Sequence, residues 1–123
     1  MSKKVLIVDD EPDILKIVIF RLKAKGYQTI SATSGEEALQ LLGESKPALI
    51  ILDLRMPGIN GDELCRKIKA DENLKEIPVI LLTASTGQDI EKLAQEIGAI
   101  DFIRKPFDNQ EFINKIENVF SDK

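Results

Sequence analysis

The sequence predicts a doubly wound α/β fold, a five-stranded parallel sheet with helices on both faces. Three observations carry that expectation. Five short apolar runs alternate with segments that hold helix start and stop signals. Three of the runs are unbroken in Val, Ile and Leu, the pattern of strands covered on both faces. Strict alternation of strand and helix implies parallel pairing through right-handed crossovers.

The first run, Val5-Leu6-Ile7-Val8, is continuous and reads as a central strand. The helix after it closes at Gly26, behind the basic turn Lys23-Ala24-Lys25. Between Ile14 and Leu22 of that helix only Lys16 and Arg21 are polar. One buried stripe, such as Ile14, Val18 and Leu22, leaves Ile17 and Phe20 in excess. Two readings stay open there: a wide buried face, or a surface patch that docks a partner. The second run, Gln28-Thr29-Ile30-Ser31-Ala32, is mixed and suits a sheet edge. Ser34 with Glu37 fits a capping box for the second helix. Leu49-Ile50-Ile51-Leu52 is again a central strand; Pro57 and Gly58 then fix a turn, and Gly61 assists the start of the third helix. Val79-Ile80-Leu81-Leu82 is the third central strand, and the helix from about Asp89 ends at Gly98. Asp101-Phe102-Ile103 suits the other edge, and Asp108 with Glu111 caps the last helix.

A chain of 123 residues suits one domain spanning 1–123, large enough to bury a core without staples. Its 43% hydrophobic and 31% charged residues place it among globular chains. A net charge of -4 provides no basic field for nucleic acid or a membrane surface, so neither is an expected partner. The single Cys65 has no internal disulfide partner and reads as a buried helix thiol in a reducing compartment. Met1-Ser2-Lys3-Lys4 leads into too short an apolar run for a signal peptide, and no segment approaches the roughly 20 residues of a membrane span. The expected location is cytoplasmic.

The chemistry lies at the strand ends. Asp9 and Asp10 follow the first run, Asp53 the third, and Lys105 the last. In an open parallel sheet those ends share one edge, where ligands bind. Three aspartates and one lysine leave a net charge of -2, which a divalent cation would neutralise. Oxygen-only ligands favour Mg²⁺, with Mn²⁺ as a substitute. A carboxylate beside such a cation can act as a nucleophile towards phosphorus, forming an acyl phosphate. Each aspartate taken alone could instead be a solvated loop residue or a helix cap. The chain has no His, so histidine-based triads are excluded, and its glycines form no nucleotide-binding loop.

The segments Val8-Asp9-Asp10-Glu11, Asp53-Leu54-Arg55-Met56-Pro57-Gly58, Thr83-Ala84 and Lys105-Pro106-Phe107 together resemble the receiver domain of two-component response regulators, of the chemotaxis-type single-domain kind. The resemblance covers essentially the whole chain. It implies the flavodoxin-like (βα)5 arrangement with strand order 2-1-3-4-5. It also implies that Asp53 is the phosphoacceptor and that Asp10 ligates Mg²⁺ directly, Asp9 acting mainly through water. Arg55 would supply a backbone carbonyl ligand. Lys105 would pair with the phosphoryl oxygens, through a cis Lys105-Pro106 bond. Thr83 would report the phosphoryl group by its hydroxyl, and Phe102 would change rotamer with it. Arg55 and Ser85 would flank the path of hydrolytic water and tune the rate.

The donor implied is a histidine kinase or a histidine phosphotransfer protein, docked on Ile14 and Ile17. The output is a remodelled face of helix four, strand five and helix five that binds a downstream effector. Such a module catalyses its own phosphorylation and dephosphorylation and is not an enzyme with an external substrate. A monomer is expected, with dimerisation on phosphorylation left open. The competing readings are a receiver cut from a longer regulator, a phosphorylation-independent interaction module, and a hydrolase of small phosphate esters. The full residue set argues against the second, and the lack of a substrate-binding insertion against the third. A flavin-binding relative is disfavoured because the first loop is acidic.

Overall fold

The structure is a computed structural model and describes residues 3–56, 58–84 and 89–121. Along the chain run β1 (Lys4–Val8), α1 (Pro12–Ala24), β2 (Gln28–Ala32), α2 (Gly35–Glu44), β3 (Leu49–Asp53), α3 (Gly61–Ala70), β4 (Val79–Thr83), α4 (Asp89–Ile97), β5 (Asp101–Arg104) and α5 (Asn109–Phe120). The strands form one parallel sheet in the order β2-β1-β3-β4-β5. The three unbroken apolar runs occupy the centre, and the two mixed runs lie at the edges.

Side chains of a strand alternate between its two faces, and here that alternation sorts the apolar residues into two cores. Leu6, Val8, Ile50, Leu52 and Leu81 face α2, α3 and α4, meeting Leu42, Leu64 and Ile97. Val5, Ile7, Ile51, Ile80 and Leu82 face α1 and α5, meeting Val18, Leu22 and Phe112. Each such side chain contributes about 1.5–3 kcal/mol by leaving water. With both faces apolar, only the strand ends remain for polar groups.

Helix ends follow local chemistry, with differences from the sequence expectation. The Ser34 hydroxyl accepts from the Glu37 amide at 3.1 Å, as a cap should. The Glu37 carboxylate, however, accepts from the Thr33 amide at 2.8 Å and the Thr33 hydroxyl at 3.1 Å. The return half of the box is thus shifted one residue outward, onto a residue that offers two donors. Asp108 caps α5 through the Glu111 amide at 3.1 Å. Asn60 caps α3 through the Glu63 amide at 3.0 Å, a role the sequence reading did not assign. Helix α1 ends with the Gly26 amide bonded to Lys23 and the Tyr27 amide to Leu22, at 3.0 and 3.1 Å. That closure needs a left-handed residue, and Gly26 supplies it at φ 91°.

The buried stripe of α1 is Leu15, Val18 and Leu22, not one beginning at Ile14. Glu11 serves as the N-cap and Pro12 opens the helix; Leu15, three residues before Val18, faces inward and Ile14 is half-buried on the flank. Ile17 is 43% and Phe20 74% exposed, so the wide buried face is not formed and the apolar excess lies on the surface. Cys65 is fully buried on α3 and donates to the Ile97 carbonyl at 3.3 Å; burial pushes its thiol up to about 11, which makes it inert. Among the described residues no helix is long and apolar enough to cross a membrane. Pro57 lies outside the described residues.

Candidate functional site

Strand register brings the acidic residues together. Val8 pairs with Leu52, so Asp9 and Asp53 emerge at the same level of neighbouring strands. Asp53 pairs with Leu82, and Thr83 with Arg104, so Lys105 arrives one step past Thr83. Backbone bonds carry the ladder into the site. The Asp9 amide donates to Ala32 at 3.1 Å, Leu54 to Leu82 at 3.1 Å, and Lys105 to Thr83 at 2.7 Å. These residues are therefore held by the sheet rather than by loose loops.

Asp9 is fully buried, and Asp53 is nearly so at 5% exposure. One carboxylate oxygen from each of Asp9, Asp10 and Asp53 lies within 4.8 Å of the other two. Lys105 Nζ lies 3.1 Å from Asp9 Oδ2, 2.9 Å from Glu11 Oε1 and 3.5 Å from Asp53 Oδ1. Asp9 Oδ1 accepts from the Glu11 amide at 2.9 Å, and Asp53 Oδ1 from the Arg55 amide at 3.4 Å. The peptide bond from Lys105 to Pro106 is cis. The group opens into a cleft of about 610 Å³ lined by Asp10, Glu11, Ile14, Asp53, Arg55, Ala84, Lys105 and Pro106.

The charges strain against their burial. Burial first, and the Asp9 carboxylate second, push the Asp53 carboxyl up to about 6; Lys105 and the Arg55 amide only partly offset them. For Lys105, burial works against the charge. Hydrogen bonds to Glu11 and Asp9, with the fields of Asp53 and Asp9, outweigh it and hold the ammonium above the usual lysine range. A second cation would relieve the excess negative charge. The donor set is oxygen only, three carboxylates in reach of one point, and this fits a hard divalent ion such as Mg²⁺.

The structure separates the predicted residues into two neighbouring clefts. Asp9, Asp10, Asp53 and Lys105 form one cluster. Thr83 is buried at 3% exposure and lines a second cleft of about 590 Å³ with Leu54, Arg55, Asp62, Ile90 and Leu93. Strand alternation explains the split, since Thr83 shares the face of Val79 and Leu81 towards α3 and α4. Arg55 lines both clefts. Phe102 lies on the same face as Thr83, paired with Leu81, and is half-buried against that core. Its ring is flanked by the Arg104 guanidinium at 5.1 Å and the Lys115 ammonium at 5.3 Å. Ile14 lines the acidic cleft, and Ile17 lies one turn along α1 on the surface. Ser85 lies outside the described residues. Glu11 is the residue the sequence reading gave no role. Its signal was an acidic side chain at the start of a helix, a place where glutamate is a poor cap.

The family model for the response regulator receiver domain matches residues 5–117, and the chain belongs to that family. Its structure is similar to the chemotaxis response regulator CheY4 of Vibrio cholerae, with a TM-score of 0.91 and 28% identity over 97% of this chain and 99% of that one. It is similar to the receiver domain of a signal transduction histidine kinase from Syntrophus aciditrophicus, with a TM-score of 0.90 and 36% identity over 98% of this chain and 91% of that one. The receiver domain of the sensor histidine kinase PA1611 from Pseudomonas aeruginosa matches with a TM-score of 0.90 and 25% identity, covering 99% of this chain and 100% of that one. That protein holds a magnesium ion in its active-site cleft. The fold and the acidic strand-end cluster are thus those of a signalling receiver.

Proposed function

We propose that residues 1–123 act as one receiver domain that takes a phosphoryl group onto Asp53 and uses it as a switch. The observation that carries this reading is the placement of Asp53, buried beside the Asp9–Lys105 pair at the edge of the sheet. The donor is a phosphohistidine of a histidine kinase or phosphotransfer protein. An Asp53 carboxylate oxygen attacks phosphorus as the P–N bond to the imidazole breaks, and the leaving imidazole takes its proton from solvent. Lys105 bears the charge on the transferring oxygens. Asp10 and Asp53, with the Arg55 carbonyl and Asp9 through water, are the residues that would hold Mg²⁺. Bound there, it supplies positive charge to the phosphoryl oxygens. Hydrolysis reverses the state: water adds to phosphorus, the bond to Asp53 breaks and inorganic phosphate leaves. Arg55 and Ser85 tune the rate of that step.

The readout runs across one sheet face. The Thr83 hydroxyl donates to the phosphoryl group, and Phe102, two registers away on the same face, moves into the space released. The remodelled surface of α4, β5 and α5 binds a downstream effector. Ile14 and Ile17 of α1 dock the donor beside the cleft. The protein acts in the cytoplasm, without direct nucleic-acid or membrane contact, as a monomer that phosphorylation can pair.

Beryllofluoride, a mimic of the phosphoryl group, tests the switch by amide NMR. With Mg²⁺ the Thr83 and Phe102 amides should shift in the wild type and stay fixed in Asp53→Asn. Identical shifts in the two proteins would overturn the reading.

A further inference from the structure

Glu11 is an N-cap without a capping side chain. N-caps favour Ser, Thr, Asp and Asn, whose short side chains turn back onto the helix amides. The Glu11 side chain makes no such bond. Its carboxylate crosses the mouth of the cleft to Lys105, 94 residues further on, at 2.9 Å. This is the shortest of the three carboxylate contacts to the Lys105 ammonium; the contact to Asp53 is the longest, at 3.5 Å. An ammonium has three N–H donors, and its two closest contacts here are to Glu11 and Asp9, not to Asp53. The position breaks a local rule of helix starts, and such breaks concentrate where function is served.

We propose that Glu11 is a positioning residue that competes with the incoming phosphoryl group for Lys105, and so slows phosphorylation of Asp53. Asp9 is fully buried and accepts from the Glu11 amide, so its contact with the ammonium is the one less able to open. Glu11 is 59% exposed along its side chain, with solvent ready to receive its carboxylate when Lys105 turns to the phosphoryl oxygens. The exposed pair is the one that can be given up, and the buried pair is the one that stays. The cost of giving it up falls on the phosphorylated state and on the path to it. Glu11 thereby sets how readily this receiver charges from small phosphate donors.

This inference rests on Asp53 being the phosphoacceptor. The test compares the wild type with Glu11→Gln and Glu11→Asp, phosphorylated by phosphoramidate at saturating Mg²⁺. The ammonium of that donor offsets part of its phosphoryl charge, so a general field effect is small. Glutamine removes the charge. Aspartate keeps it, but is a methylene shorter and a good N-cap, so it turns back to the helix. Both variants should phosphorylate faster by roughly twofold to fivefold, the range of an exposed ion pair. The NMR signal of the Lys105 ammonium should shift in both variants before any donor is added. Unchanged or slower rates in Glu11→Gln would overturn the proposal, as would a Glu11→Asp rate equal to that of the wild type. No phosphorylation of the wild type would instead remove the phosphoacceptor reading itself.

Discussion

The buried Asp9 carboxylate and the Lys105 ammonium meet at 3.1 Å across 96 residues of sequence, joining the first strand to the last beside Asp53. Asp9 depends on that contact more than Lys105 does, because Lys105 also meets Glu11 and Asp53. Asp9 is fully buried, and Lys105 is the one cation at hydrogen-bond distance from it among the described residues.

Lys105→Ala should therefore unfold more easily. Removing one partner leaves the other charge buried, a loss of about 3–5 kcal/mol in urea denaturation without Mg²⁺. Saturating Mg²⁺ should recover part of the loss. A variant as stable as the wild type in metal-free buffer would show that Asp9 finds other compensation.

Asp53 predicts the opposite sign. Its folded carboxyl titrates at about 6, above the unfolded value, so the ionised form is the one the fold penalises. The penalty is absent below about pH 4, grows as pH rises, and is full above about pH 6. Asp53→Asn should stabilise the metal-free protein at pH 7.5 by on the order of 1–3 kcal/mol and leave it unchanged at pH 4. Urea midpoints at the two pH values decide this. Mg²⁺ should shrink the difference at pH 7.5.

Gly61 packs directly against the loop that follows Asp53. An added Cβ there would press into the Asp53 carbonyl and the Leu54 Cα, backbone atoms that move only with the main chain. Gly61→Ala should cost at least about 2 kcal/mol and slow phosphorylation, because the main chain at the end of β3 would have to shift. An unchanged melting temperature would show that α3 can retreat instead.

Ile17 is exposed and spends its apolar surface on no core. Ile17→Asp should impair phosphoryl transfer from a histidine kinase or phosphotransfer protein by at least about tenfold, while phosphorylation by acetyl phosphate and the melting temperature stay unchanged. Equal loss with both donors would sink the docking role.

The strands were legible because continuous Val, Ile and Leu runs have few other uses in a short globular chain. Asp9, Asp10, Asp53 and Lys105 were legible because each stands at the end of such a run. Side-chain direction was harder to read. Val18 and Leu22 of α1 face inward as expected, but the stripe begins at Leu15, three residues before Val18, and not at Ile14, four before it. Thr83 lines the neighbouring cleft because strand alternation turns it towards α3 and α4, a consequence of register that the motif alone does not state. The Glu37 reach to Thr33 and the Glu11 reach to Lys105 depend on a long side chain choosing among several donors. That choice is set by the folded surroundings, not by spacing.

The most direct measurement is intact mass after incubation with acetyl phosphate, with and without Mg²⁺, for the wild type and Asp53→Asn. The account predicts a gain of one phosphoryl group in the wild type, dependent on Mg²⁺ and absent in the variant. A wild type that gains nothing with Mg²⁺, or a variant that gains as much, would contradict it.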